Sequence, residues 1–178
     1  LSHINWISTV YHGLPENMYH PGDGKGNYLA FLGRISPEKR PDRAIEIAKR
    51  TGIPLKIAAK VDRVDEAYFK KEIEPLLDDP LIEFIGEIGD DQKEVFLGNA
   101  LALLFPIDWP EPFGMVMIEA LATGTPVIAF NHGSVPEIIE HGKTGFVVNN
   151  MQQAIEAVEK LNLISRRICR EVFERSFT

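Results

Sequence analysis

Short runs rich in Val, Ile, Leu and Phe alternate along this chain with longer amphipathic stretches, and that alternation restricts the fold more than any other feature. The apolar runs cover residues 28–32, 55–59, 82–85, 101–105, 127–130 and 145–148, and each has the length and composition of a strand. Between and after them, the spacing predicts helices over 41–51, 65–77, 90–99, 115–123, 135–141, 151–161 and 164–175. Punctuation supports the boundaries. Pro37 and Pro41 flank one helix start, Gly52 and Gly124 end helices, and Pro126 leads into a strand.

Strands that read as unbroken apolar runs, separated by helices, imply a parallel sheet covered on both faces. The expectation is therefore an α/β fold, a Rossmann-like parallel sheet of about six strands. Right-handed crossovers place every strand's carboxyl end on one edge, where ligands of such sheets bind against helix N-termini. At 178 residues the chain suits one domain. Residues 28–178 form its body, and residues 1–27 read as a lead-in strand and loop from an N-terminal domain outside this chain. Within that lead-in, STVYHGLP has the look of a short strand, and residues 14–27 read as a loop.

Composition narrows the function. Nineteen basic against 26 acidic side chains give a net charge of −7 with no dense Lys/Arg tract, which argues against nucleic acid or an anionic membrane as partner. A local phosphate site remains compatible, because an anion needs only a few well-placed donors. Cys169, the one cysteine, lacks the companions of a disulfide or metal site and reads as a structural thiol in a helix. With no secretory segment and no transmembrane run, the chain reads as cytoplasmic, or peripheral at a membrane in a full-length enzyme. It begins at Leu1 rather than Met, so an upstream targeting segment remains open.

Two clusters carry chemistry. In YLAFLGRISPEKRPDRAIEIA a strand ends at Gly33, and Arg34 and Lys39 follow beside a helix start. A guanidinium fork, an ammonium and a helix dipole together suit a diphosphate. Taken alone, the two are equally readable as solvated charges near a Pro-rich turn. The glycine fingerprints of dinucleotide and P-loop sites are absent. In the second cluster, LLFPIDWPEPFGMVMIEALATGTPVIAF, Glu111 follows a buried strand, and Gly114 opens a helix carrying Glu119. The backbone amides of Phe113, Gly114, Met115 and Val116 lie between the two carboxylates and are free to receive a phosphate. Carboxylates also accept sugar hydroxyls in pairs. Without further context, both glutamates are common helix-end and helix-surface charges.

Together these residues resemble the donor-binding domain of glycosyltransferase family 4, the retaining enzymes of the GT-B fold. The family's Gly-Arg…Glu-Lys segment appears as Gly33-Arg34 and Glu38-Lys39. Its Glu-Pro-Phe-Gly begins at Glu111, with seven residues before Glu119, and Gly-Thr-Pro-Val and Gly-x-x-Pro-Glu begin at Gly124 and Gly133. The resemblance spans nearly the whole chain in the right order. It implies that Arg34 and Lys39 neutralise the leaving diphosphate, that Glu111 holds donor-sugar hydroxyls, and that Glu119 grips the ribose. The amides from Phe113 to Val116 would lie beside the phosphates, and the backbone from Gly86 to Ile88 against the base. It further implies a nucleotide-sugar donor such as UDP-glucose, no cofactor, no bound metal, and an acceptor and N-terminal domain outside this chain. Catalytic roles fall on Glu111, Arg34 and Lys39.

Two departures stand out: Arg40 occupies a position where glycine is frequent, and the second strand ends Ala58-Ala59-Lys60 instead of a glycine-rich turn. His132, in the loop after the fifth strand, is either structural or close to the donor, and Trp6 and Trp109 read as packing residues. His3, His12, His20 and His141 lack ligand spacing. The rival functions are a GT-B epimerase or phosphorylase-like domain and a non-catalytic nucleotide-sugar-binding module.

Overall fold

The computed structural model describes Asn5 and residues 7–178; Trp6 and His3 lie outside the described residues. Six strands form one parallel sheet: β1 (Leu29–Arg34), β2 (Leu55–Lys60), β3 (Ile82–Gly86), β4 (Ala102–Phe105), β5 (Val127–Phe130) and β6 (Gly145–Val148). Their order across the sheet is β3-β2-β1-β4-β5-β6. Every residue of β4 and β5 is buried, which is why those strands read as continuous apolar runs. The chain winds outward from β1 in one direction and from β4 in the other. The order therefore reverses between β1 and β4, and a crevice opens at their carboxyl ends.

Helices cover both faces: α1 (Pro41–Thr51), α2 (Glu66–Tyr68), α3 (Asp90–Asn99), α4 (Met115–Ala122), α5 (Val135–Ile138), α6 (Met151–Glu159) and α7 (Arg166–Ser176). In α1 the residues Ala44, Ile45, Ile47 and Ala48 face the core. Burying each isoleucine contributes about 1.5–3 kcal/mol. The helix ends at Gly52, whose φ of 68° is the left-handed conformation a glycine adopts without strain.

Several expected elements differ. The helix predicted over 65–77 is broken into the single turn α2, a π-helical turn at Phe69–Ile73 and a 3-10 turn at Glu74–Leu76. Pro75 lies inside it and has no amide to give, and its ring displaces the carbonyl four residues earlier, so the regular ladder cannot continue. The helix predicted over 135–141 stops at Ile138. Ile139 is extended, and the turn beyond it is held by Glu140 N–H donating to Thr144 Oγ1 at 3.0 Å. The helix predicted over 151–161 ends at Glu159, with a 3-10 turn at Leu161–Leu163, and the last helix starts at Arg166.

STVYHGLP forms no strand. It is held elsewhere: Leu14 N–H donates to the Phe177 carbonyl at 2.8 Å, and the Tyr11 ring packs against Phe113 and Phe177. Nor is the segment after it a loose loop. Tyr19 is buried in the core, and Gly22 passes so close to Gly98 that a Cβ there would meet backbone at 2.2 Å. Two arginines of α7 fasten it. Arg166 donates to the carbonyls of Gly22, Gly98 and Ala100, and Arg170 to those of Glu16, Tyr19 and Ala122. Cys169 lies between them, fully buried, its thiol pushed up to about 12 by that burial, consistent with an inert packing role.

Candidate functional site

The crevice between β1 and β4 holds two adjoining chambers. Leu32, Gly33 and Arg34 from the end of β1, with Met115 and Val116 from the start of α4, line both. The narrower chamber, about 190 Å³, adds Lys39 and Glu111. The wider, about 510 Å³, adds the end of β2, residues 87–90, Lys93 and Glu119.

At the narrow end, Glu111 stands in a loop that needs outside support. Gly133 supplies some of it: φ is 58°, and an added Cβ would meet the backbone O and N of Glu111 at 2.3 and 2.4 Å. Ser134 donates its amide to the Glu111 carbonyl (2.9 Å) and its hydroxyl to the Phe113 carbonyl (2.7 Å). The Gly-Ser turn after β5 thus clamps the Glu-Pro-Phe-Gly loop after β4. Lys39 donates to Glu111 Oε2 in a buried ion pair. Trp109 Nε1 donates to the same oxygen at 2.8 Å, and its ring lies 5.2 Å from the Lys39 ammonium. Trp109 therefore does more than pack: it bonds the carboxylate and covers the cation.

Gly114 caps α4 with φ 78°, and no side chain caps that helix. Met117 turns its amide back to the Gly114 carbonyl at 2.9 Å, so the amides without a carbonyl one turn earlier end at Val116. Gly114, Met115 and Val116 line the narrower chamber, and the helix dipole adds positive potential there. The Phe113 side chain points elsewhere, into an aromatic cluster with Tyr11, His12 and Phe177. Arg34 is about half exposed and held only loosely, 3.5 Å from Glu38 and 3.6 Å from Asp62, which leaves it able to turn to an anion.

At the wide end, Glu119 is buried within α4. Lys93 of α3 donates to its Oε1 at 3.0 Å and to Asp90 Oδ1 at 2.8 Å. Burial opposes the charge of Lys93, but its bonds to the two carboxylates outweigh it and raise the pKa. Tyr19 lies behind this pair, its phenol pushed up to about 12 by burial and by the charge of Glu119. Ile88 lines this chamber. Gly86 stands back from it at the end of β3, with φ 85°, where the register with β2 shifts.

Arg40, read above as an extra cation or a surface residue, bonds Asp42 and Asp108 at 2.8 Å each and is spoken for. His132 lies 3.7 Å from Asp108, to one side of both chambers. Among the described residues no cluster of three or more His, Cys, Asp or Glu is arranged to hold a metal ion, and no helix is long and apolar enough to cross a membrane.

Lys93, Trp109 and the Gly133-Ser134 clamp escaped the sequence reading. Lys93 left one trace, since it falls three and four residues before the buried Phe96 and Leu97, on the apolar stripe of its helix.

Fold and site together define a Rossmann-like α/β domain with cations and paired carboxylates at the switch point of its sheet. A family model described as "Glycosyl transferases group 1" matches residues 19–168, and the chain belongs to that family. Among curated relatives, a D-inositol 3-phosphate glycosyltransferase of Mycobacterium leprae is 30% identical, the match covering 89% of this chain and 41% of that protein. One of the same description from Streptomyces scabiei is 27% identical over 85% of this chain and 39% of its own length. The chain thus spans about two fifths of these relatives. Solved structures share the fold. HepE of Anabaena in complex with UDP-glucose superposes with a TM-score of 0.79 at 19% identity, covering 94% of this chain and 52% of that one. Sucrose-phosphate synthase from Thermosynechococcus elongatus gives 0.81 at 22% identity, covering 94% and 47%.

Proposed function

We propose that this chain is the donor-binding half of a retaining glycosyltransferase that moves a hexose from a nucleoside diphosphate, with UDP-glucose the leading donor. The observation that carries the proposal is the sequence of groups along one crevice: Glu111, then Lys39, Arg34 and the α4 amides, then Glu119. That order matches the order of hexose, diphosphate and ribose in a sugar nucleotide. Glu111 accepts hexose hydroxyls, and Glu119 accepts the ribose hydroxyls. The base rests against the backbone of Glu87 and Ile88, just beyond Gly86 at the lip of the wide chamber. The UDP-glucose bound in HepE supports the choice of donor.

When the anomeric C–O bond breaks, negative charge gathers on the departing diphosphate and positive charge on the sugar. Arg34, Lys39 and the free amides of α4 stabilise the first, and Glu111 stabilises the second. On this reading two cations and a helix end do the work that a divalent metal does in other transferases, so no metal is needed. The acceptor, and the groups that position it, belong to a second, N-terminal half of a longer enzyme, working in the cytoplasm or at the membrane surface.

Calorimetric titration of this chain with UDP tests the proposal. The expected Kd is on the order of 0.1–1 mM, because the closing half of the cleft is not part of this chain. No heat with UDP, GDP or ADP would overturn it. The chain alone should transfer no sugar, since positioning of two reactants is worth ~7–11 kcal/mol of barrier. Measurable transfer to an added acceptor would show that one half suffices.

A further inference from the structure

We propose that Lys93 is a positioning residue for ribose recognition: by holding Oε1 of Glu119 it keeps that carboxylate aimed, with Oε2 left for the ribose hydroxyls. The inference rests on the donor reading above and deepens it.

Glu119 is the one charged residue in α4 and is only 11% exposed at its side chain. An ionised carboxylate so placed is costly unless it is paired and hydrogen-bonded. Nothing on its own helix supplies a cation, and the partner comes from α3, 26 residues earlier in the chain. Lys93 is 21% exposed and occupies the face of α3 that Phe96 and Leu97 also bury, where a methionine or leucine would pack as well. A lysine in that place has to be held, and it is, from both sides. Glu119 binds it inside, and the largely exposed Asp90 binds it toward solvent. The stem is thereby fixed at two points, and the carboxylate it touches has one oxygen committed and one available. Both side chains line the wider chamber. A carboxylate oriented in this way takes two vicinal hydroxyls, whereas a freely rotating one does not discriminate.

The test is a comparison of ribonucleotide with deoxyribonucleotide on this chain. UDP and 2′-deoxy-UDP are titrated calorimetrically, or the GDP or ADP pair if that base binds better. The unmodified chain should prefer the ribonucleotide by about tenfold to a hundredfold, the value of a hydrogen bond to a charged group. In Lys93→Met the ribonucleotide should weaken by at least tenfold while the deoxy form changes by no more than about threefold, collapsing the preference. Lys93→Gln, which keeps an N–H donor on a side chain one bond shorter, should restore part of it, and it also serves if the methionine variant does not fold. Adding Lys93→Met to Glu119→Gln should alter the preference no further. Two results overturn the inference. One is a Lys93→Met variant that keeps the full preference. The other is an equal loss for both nucleotides, which would make Lys93 a phosphate contact or a purely structural cation. If neither nucleotide of any pair binds the unmodified chain, the donor reading itself falls, and this inference with it.

Discussion

At one end of the cleft Glu111 rides on a loop, with Lys39 and Trp109 both bonded to its Oε2; at the other, Glu119 is part of α4, with Lys93 on its Oε1. The two carboxylates are eight positions apart in sequence, yet they are held in opposite ways. The loop-borne one depends on partners from three places: the turn after β1, its own loop, and the Gly133-Ser134 turn after β5. The helix-borne one depends on one lysine and the stiffness of the helix. On the donor reading the difference follows from the chemistry. The ribose is the same before and after transfer, so a rigid grip serves it. The hexose leaves, and its bond to the diphosphate is the one that breaks. A carboxylate there that shares its charge with the diphosphate's own lysine can respond to both.

This contrast can be broken first at Gly133. Gly133→Ala should cost about 2–4 kcal/mol of stability, from left-handed strain and contact with the Glu111 backbone, and the residual folded protein should lose the hexose end of the site. Chemical denaturation measures the first and titration with UDP-glucose the second; a change under about 0.5 kcal/mol would mean the clamp is slack. Lys39→Ala comes next. It should weaken UDP by about 1.5–3 kcal/mol, with the loss shrinking as salt rises, while uridine binding barely changes. An equal loss for uridine would place Lys39 away from the phosphates.

The ion pair also sharpens what Glu111 does to nucleotide binding. Lys39 is engaged by Glu111, so UDP has to draw the lysine away. Glu111→Gln frees it, and UDP should bind with unchanged or slightly greater affinity, by at most about 1 kcal/mol. Trp109→Phe is the mildest change. It keeps a ring over the ammonium and removes the donor to Glu111 Oε2, and should cost about 0.5–1.5 kcal/mol of UDP-glucose affinity. UDP affinity should hold. A loss shared by both ligands would make the tryptophan a packing residue after all.

Much of this was legible in the sequence because it is local. The strands at 127–130 and 145–148 and the helices at 41–51 and 90–99 have the predicted boundaries, since periodicity and a flanking Gly or Pro determine each one nearby. Arg34, Lys39, Glu111 and Glu119 were legible by motif, and all four line the one crevice. What sequence did not show is what comes from pairing across distance. Lys93 meets Glu119, Ser134 meets Phe113, and Arg166 meets Gly22 only once the sheet has assembled. The helix predicted over 65–77 and found broken is the exception, because Pro75 is itself local and rules out a regular ladder despite the amphipathic periodicity. The missing strand before residue 15 has the opposite cause: its composition suits a strand, but Tyr11 and Leu14 are tied to Phe113 and Phe177 rather than to a sheet edge.

The central claim, that one crevice reads a sugar nucleotide from hexose at Glu111 to ribose at Glu119, is tested most directly by four calorimetric titrations. Glu111→Gln and Glu119→Gln are each titrated with UDP and with UDP-glucose, against the unmodified chain. Glu119→Gln should weaken both ligands by the same factor, about tenfold or more. Glu111→Gln should spare UDP and erase whatever additional affinity the glucose supplies. If Glu111→Gln shifts UDP and UDP-glucose alike, or if Glu119→Gln affects only the sugar-bearing ligand, the assignment of the two ends is contradicted.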